Sequence, residues 1–357
     1  MRLRKLRESL GVEGLDAMFV TQPQNIRYLS GFTGGEGIVL VVTPQEALAV
    51  TTFIYHEQVR REAPDWELIE VRNAELVSAF PDLIARLGVR RIGFESTHVT
   101  VEQHHEWAGA LPDCELVPVK DVVEDLRAVK DEEEIDMIKQ AVALADAAFT
   151  HIVKFIRPGM MEKEVSWELE AYMRTHGAEK VSFDIIVGSG PNGALPHATV
   201  SERLISAGEP IVMDLGAVVD GYCSDLTRTI VIGEPDDTFR KIHDAVLRAQ
   251  VHAEAKIVPG MTGQEADDIA RAIITEVGYG DAFGHSLGHG VGLAVHEKPW
   301  VSRVKGEDVL SPGMVFTVEP GIYLPGWGGV RIEDVVVLRE DGCQVLNKVS
   351  KEPIILL

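Results

Sequence analysis

The chain has 357 residues, of which 45% are hydrophobic and 25% charged, with a formal net charge of −22. That length allows two domains and a large buried core, and the composition is that of a globular protein. The excess of Asp and Glu argues against nucleic-acid or anionic-membrane binding, since both need clustered Lys and Arg.

The N-terminal MRLRKLRESL reads as a helix, and LDAMFVT as a buried strand rather than a signal-peptide core. GIVLVV and EALAVTT follow as a strand pair and RRIGFES as another strand. Alternating helices and strands predict an α/β (α+β) fold, here a first module with a mixed sheet. Asp131 is placed as the N-cap of a long helix, with acidic residues in its first turn and Ile135, Ile138, Val142 and Ala145 at helical spacing. The domains are accordingly placed at 1–127 and 128–357. No apolar stretch approaches the ~18 residues of a membrane span. Cys114, Cys223 and Cys343 are odd in number and lack CxxC spacing, which fits a reducing cytoplasm and free thiols.

The second domain contains an internal repeat. IRPGM at 156–160 returns as IVPGM at 257–261, and at the same offset Glu164 matches Glu265 and Gly177 matches Gly278. Each unit reads as a Pro-Gly turn, a helix of about four turns and a Gly stop. A β-hairpin follows each. PIVMDLGAVV and YCSDLTRTIVIG flank Asp220-Gly221, a type I′ dipeptide. MVFTVEPGIY and GVRIEDVVVL flank the turn at 325–329. Asp214 and Asp225 are nearly symmetric about the first turn, and Glu319 and Glu333 about the second, so each pair is expected to face across its hairpin, roughly 5 Å apart. A pseudo-twofold relating the hairpins would bring the four carboxylates to one point.

An unpaired carboxylate in a strand as apolar as IVMD would be costly, and metal binding removes that cost. With His289 the four carboxylates make an oxygen-rich set that suits two divalent cations, Mn, Co or Zn, better than a structural zinc. Two such ions polarise a carbonyl and activate a water, which points to a hydrolase. His285, His289 and His296 crowd FGHSLGHGVGLAVHE. Its glycines argue against a helix and for an irregular loop approaching the metals closely. One of these histidines can complete a metal shell, leaving two for substrate and transition state. His197 lies in a loop with Gly-Pro and Asn-Gly turn signals, and GSGPNG lacks the Gly-Lys-Ser/Thr of a phosphate loop.

MDLGA, SDLTRT, HSLGHGVG with a following HE, VEPGIY and RIEDVVV together resemble the pita-bread metallopeptidases, which include methionine aminopeptidase, aminopeptidase P and prolidase. The resemblance spans the chain and implies a creatinase-like N-terminal domain before a pita-bread catalytic domain. It implies a cytoplasmic homodimer that cleaves Xaa-Pro dipeptides (prolidase) or longer Xaa-Pro peptides (aminopeptidase P). By position, Asp214, Asp225 and Glu333 would hold one metal, and Asp225, His289, Glu319 and Glu333 the other. Glu319 would also shuttle the proton, His296 would stabilise the oxyanion, and His197 and His285 would shape the proline site. Arg331 would orient the carboxylates and Tyr323 line the pocket.

One departure matters. Archaeal-type prolidases carry an arginine after the HE pair, resembling a clamp for the dipeptide's carboxylate, where this chain has Trp300. Either Arg303, Arg60 or Arg61 (from this chain or a partner subunit) replaces it, or longer peptides are accepted. Glu36, in the loop GFTGGEG, is a candidate partner for the substrate's α-amino group. The rival readings are an inactive protein-binding module, which should have lost ligands, and a two-metal phosphoesterase, for which the motifs supply no basic cradle.

Overall fold

Val- and Ile-rich runs in the N-terminal part form a six-stranded sheet. In a computed structural model describing residues 1–72, 75–352 and 354–356, its strands are β1 (Ala17–Val20), β2 (Ile38–Val42), β3 (Ala47–Thr52), β4 (Glu67–Val71), β5 (Arg91–Glu95) and β6 (Glu115–Val119), ordered β4-β3-β2-β1-β5-β6. The sheet is mixed: β1 pairs antiparallel with β2 and parallel with β5. The edge strands β4 and β6 give no apolar run, because each is fully buried at one residue only and exposes two of its five, Glu67 and Glu70 in β4 and Glu115 and Pro118 in β6. Phe19, Phe80 and Trp107 pack together in the core of this unit, which runs from Met1 to Arg127.

The second unit, Ala128–Leu357, is built twice. A helix at Glu132–Phe155 turns through Gly159 (φ 87°) into a helix at Glu162–Thr175; a helix at Asp237–Lys256 turns through Gly260 (φ 92°) into one at Gly263–Glu276. Positive φ makes glycine the favoured residue at both turns. Even the tethers repeat: Gly159 N donates to Ile205 O, and Gly260 N to Leu310 O. Each helix pair has its own apolar cluster and its own sheet. One sheet orders the strands Leu226–Ile232, Pro210–Leu215 and Ile186–Ser189; the other orders Asp334–Arg339, Val315–Val318 and Gly288–Gly290 in the same sense.

Hairpin registers decide where the carboxylates fall. Asp220 (φ 46°) and Gly221 (φ 75°) both adopt positive φ, as a type I′ turn requires. Val218 pairs with Cys223 and Leu215 with Leu226, so Asp214 lies opposite Thr227 and not opposite Asp225. Asp225 sits two residues further on, diagonal to Asp214, in a break between strands. In the second hairpin Val318 pairs with Asp334 and Gly321 with Arg331. The same register carried through the intervening break sets Glu319 opposite Glu333.

Asp131 caps the long helix as a capping box: it accepts from Glu134 N at 2.9 Å, and Glu134 accepts from Asp131 N at 3.0 Å. Asp131→Ala is expected to destabilise the protein by about 1 kcal/mol, read as a lower urea midpoint at unchanged slope.

Candidate metal centre

The ladder breaks position the charged groups. Asp225 occupies the gap before strand Leu226–Ile232, and Glu319 and Glu333 occupy the gap between the two halves of the second hairpin. His289 arrives differently. Gly288–Gly290 is a short central strand between Glu297–Val301 and Val315–Val318, so the expected irregular loop is corrected. A Cβ on Gly288 would lie 1.9 Å from Thr317 O and one on Gly290 2.1 Å from Lys298 O. The glycines serve close strand packing around His289.

Ligand atoms of Asp225, His289 and Glu333 lie within 4.8 Å of one another. Glu319 Oε1 is 3.3 Å from His289 Nε2, and Asp225 Oδ2 is 3.7 Å from the same nitrogen. Asp214 Oδ2 accepts from Arg331 Nη2 at 2.6 Å, whereas its Oδ1 is buried without a hydrogen-bond partner. Burial, with the Glu333 and Asp214 charges, pushes the Asp225 carboxyl well above the usual range; burial, with Glu319 and Asp214, does the same to Glu333. Asp214 is raised by burial despite Arg331. For Glu319, burial is outweighed by the His289 contact, which holds it down at about 2. Three buried carboxylates and the half-buried Glu319, facing one guanidinium and His289, therefore make a site short of positive charge, with an oxygen in its wall that has no partner among the described residues. Hard divalent cations fit that donor set.

A layer of hydrogen bonds fixes these ligands. Thr227 Oγ1 donates to Glu333 Oε2 at 2.5 Å and accepts from Arg331 Nε at 3.0 Å. Thr317 Oγ1 donates to Glu319 Oε1 at 3.2 Å and accepts from His289 N at 3.1 Å. Arg228 donates to Glu333 O at 2.6 Å and pairs with buried Asp334 at 2.7 Å. The sequence reading missed these three. The threonines could have been found, since each lies two residues along the chain from a candidate ligand and so on the same strand face.

A cavity of about 710 Å³ opens over the cluster, lined by all five candidate ligands and by His197, His285, His296, Trp300 and Arg331. The His296 ring lies 4.2 Å from that of His289, tilted by 53°, and burial together with the His289 charge lowers the His296 pKa to about 4. His285 Nε2 lies 3.0 Å from Tyr323 Oη. Tyr323, expected to line the pocket, sits buried behind it, donates no ligand atom and accepts from Arg331 Nη1 at 2.8 Å. Burial raises its phenol to about 12. Arg303 lies outside this cavity, paired with Asp268 at 3.0 Å in the wall of a neighbouring one of about 360 Å³ that shares His285, Ser286 and Trp300. Within the N-terminal unit, Glu36 is exposed beside a separate hollow, Arg60 pairs with Glu57 and Glu70, and Arg61 with Glu62.

Residues 136–340 match metallopeptidase family M24, and residues 2–129 match the creatinase/prolidase N-terminal domain. The chain belongs to metallopeptidase family M24. It is 43% identical to an Xaa-Pro dipeptidase structure from Bacillus anthracis, covering 99% of both chains with a TM-score of 0.96. It is 39% identical to the X-Pro aminopeptidase structure from Thermotoga maritima MSB8, covering 98% of this chain and 100% of that one, TM-score 0.90. An Xaa-Pro dipeptidase of Pyrococcus furiosus is 40% identical over 98% of this chain and 99% of its own. M24 membership makes this chain a metallopeptidase with the pita-bread architecture, for which divalent metal ions are the cofactor.

Thr227→Val removes a donor to Glu333 and an acceptor from Arg331 while keeping the shape. It should weaken metal binding roughly ten- to a hundredfold, measured by competition with a chromogenic chelator.

Proposed function

We propose that the chain is an Xaa-Pro dipeptidase holding two divalent metal ions, Mn, Co or Zn, per subunit. The observation that carries this is the convergence of Asp214, Asp225, His289, Glu319 and Glu333 on the floor of one cavity. Charge is compatible with two ions: the four carboxylates and Arg331 sum to −3, and two divalent ions with one hydroxide would bring the site to zero. In this reading Asp214, Asp225 and Glu333 hold one ion, and Asp225, His289, Glu319 and Glu333 the other, with Asp225 and Glu333 shared. The ions supply an activated water and polarise the scissile carbonyl.

The protein's own groups do the rest. Glu319 Oε1, which lies against Thr317 Oγ1 and His289 Nε2, would face the ion, leaving Oε2, 3.9 Å from His285 Nδ1, to take a proton and return it to the proline nitrogen. His296, held neutral, offers an N–H to the developing oxyanion without competing for the cations. His285, oriented by Tyr323, and His197 flank the proline ring. Within the same proposal the enzyme is a cytoplasmic homodimer. Its three cysteines, odd in number and without CxxC spacing, suit that compartment, and the adjacent exposed Phe53 and Ile54 offer an apolar patch for self-association, checked by light scattering.

A second reading, an aminopeptidase acting on longer Xaa-Pro peptides, is favoured by Trp300 in the cavity wall, which offers a dipeptide carboxylate no charge. Turnover of Leu-Pro well above that of Leu-Pro-Pro is the expected outcome; comparable or faster cleavage of the tripeptide transfers the assignment to the second reading. Elemental analysis should find two metal equivalents per chain. Asp225→Ala and Glu333→Ala should each lose metal and reduce hydrolysis at least a hundredfold; retention of both by either variant defeats the dinuclear assignment.

A further inference from the structure

One fully buried carboxylate takes no part in the metal cluster. Glu162, the first residue of helix Glu162–Thr175, is 0% exposed. Its Oε1 accepts from Ser189 N (2.8 Å) and Ser189 Oγ (2.7 Å), and its Oε2 from Ser201 N (3.2 Å) and Ser201 Oγ (2.6 Å). Asn192 Nδ2 reaches both oxygens at 3.1 and 3.0 Å. Ser189 and Ser201 are the two ends of the loop that carries His197. One carboxylate thus closes the loop at its base and ties it once more from inside. At the tip, Pro196 O accepts from Arg331 Nη1 at 3.1 Å, and Arg331 also holds Asp214. His197, between these anchors, is exposed and has no hydrogen bond holding its ring among the described residues.

The repeat supplies an internal control. The position equivalent to Glu162 is Gly263, and the backbone pairing around it is kept: Glu162 N donates to Arg203 O and Lys163 N to Ser201 O, as Gly263 N does to Asp308 O and Gln264 N to Gly306 O. Closing this helix onto its loop therefore needs no carboxylate. In the second copy a Cβ on Gly263 would lie 2.0 Å from Trp300 O, so backbone packs directly on backbone there. Burying a carboxylate is costly unless several donors meet it, and at this position the first copy, whose loop bears His197, does so where the second has glycine; the buried carboxylate of the second helix, Asp267, lies one turn further on and meets Arg271 and Arg303 N instead.

We propose that Glu162 is a positioning residue for His197, setting the loop 189–201 against the metal cavity. The proposal rests on the peptidase reading for its kinetic consequence but not for its structural one. Glu162→Gln keeps the volume and turns an amide donor toward groups that are themselves donors. Hydrogen exchange of the metal-loaded protein should speed up across 189–201 and stay unchanged in strands Val315–Val318 and Asp334–Arg339. With Leu-Pro, kcat/KM should fall roughly ten- to a hundredfold at unchanged metal content, and in the same parameter, kcat or KM, as for His197→Ala. In the His197→Ala background, Glu162→Gln should cost less than about twofold more, because both changes disable one device. Unchanged exchange in 189–201, or a Glu162→Gln penalty that multiplies in full with that of His197→Ala, overturns the proposal. Should Glu162→Gln not fold, Asn192→Ala, which removes only the inner tie, goes through the same exchange and double-mutant measurements. Absence of any Xaa-Pro hydrolysis by the wild type defeats the functional reading instead, and the exchange measurement then decides this one alone.

Discussion

Four carboxylates share one buried pocket, and the rest of the catalytic unit is arranged around that electrostatic constraint. Burial, and after it the repulsion of like charges in a poorly screened interior, is why Asp225 and Glu333 resist ionisation. A polypeptide alone meets such a load by protonating it or by pairing it. Arg331 pairs one group, and His289 with Glu319 forms another pair, but Asp214 Oδ1 stays unmatched. The remaining charge calls for cations of charge two, so folding around the pocket and binding metal are linked.

The duplicated architecture is what makes so unfavourable a cluster buildable. Each copy places a hairpin on its own pair of helices and buries its own apolar cluster. The cost of the cluster falls on the seam, where the ladders break at Asp225, Glu319 and Glu333. The regular ladder on either side of each break keeps the register and so fixes the positions of these residues. Thr227 and Thr317, on strands flanking the seam, give each copy a hydroxyl that holds a ligand carboxylate.

Much of this was legible before the structure. The repeat, the type I′ turn at Asp220-Gly221, the Asp131 cap and the opposition of Glu319 and Glu333 follow from local rules with short reach. The pairing of Asp214 with Asp225 was misread because symmetry about a turn counts residues without knowing the register, and a shift of two preserves the face while moving the partner to Thr227. The glycines around His289 were read as loop formers because composition does not reveal that two neighbouring strands crowd the same backbone. Strands β4 and β6 went unseen because edge strands do not need apolar runs. Glu162 was invisible for another reason: its partners lie 27 and 39 positions away and are serines with no pattern of their own.

Arg331 joins the parts into one machine. Its Nε meets Thr227, its Nη1 meets Pro196 O and Tyr323 Oη, and its Nη2 meets Asp214. A single planar cation thus touches the strand beside one ligand, a second ligand directly, the tyrosine that orients His285, and the loop bearing His197. A lysine would bring the same charge but one nitrogen, and could not hold four groups in a fixed plane. The histidine walls of the cavity and its carboxylate floor are therefore not separately adjustable: a shift of the guanidinium that relaxes Asp214 also moves the loop at Pro196. A displacement of the loop at Pro196 or of Tyr323 is felt, through one side chain, at Asp214 and Thr227.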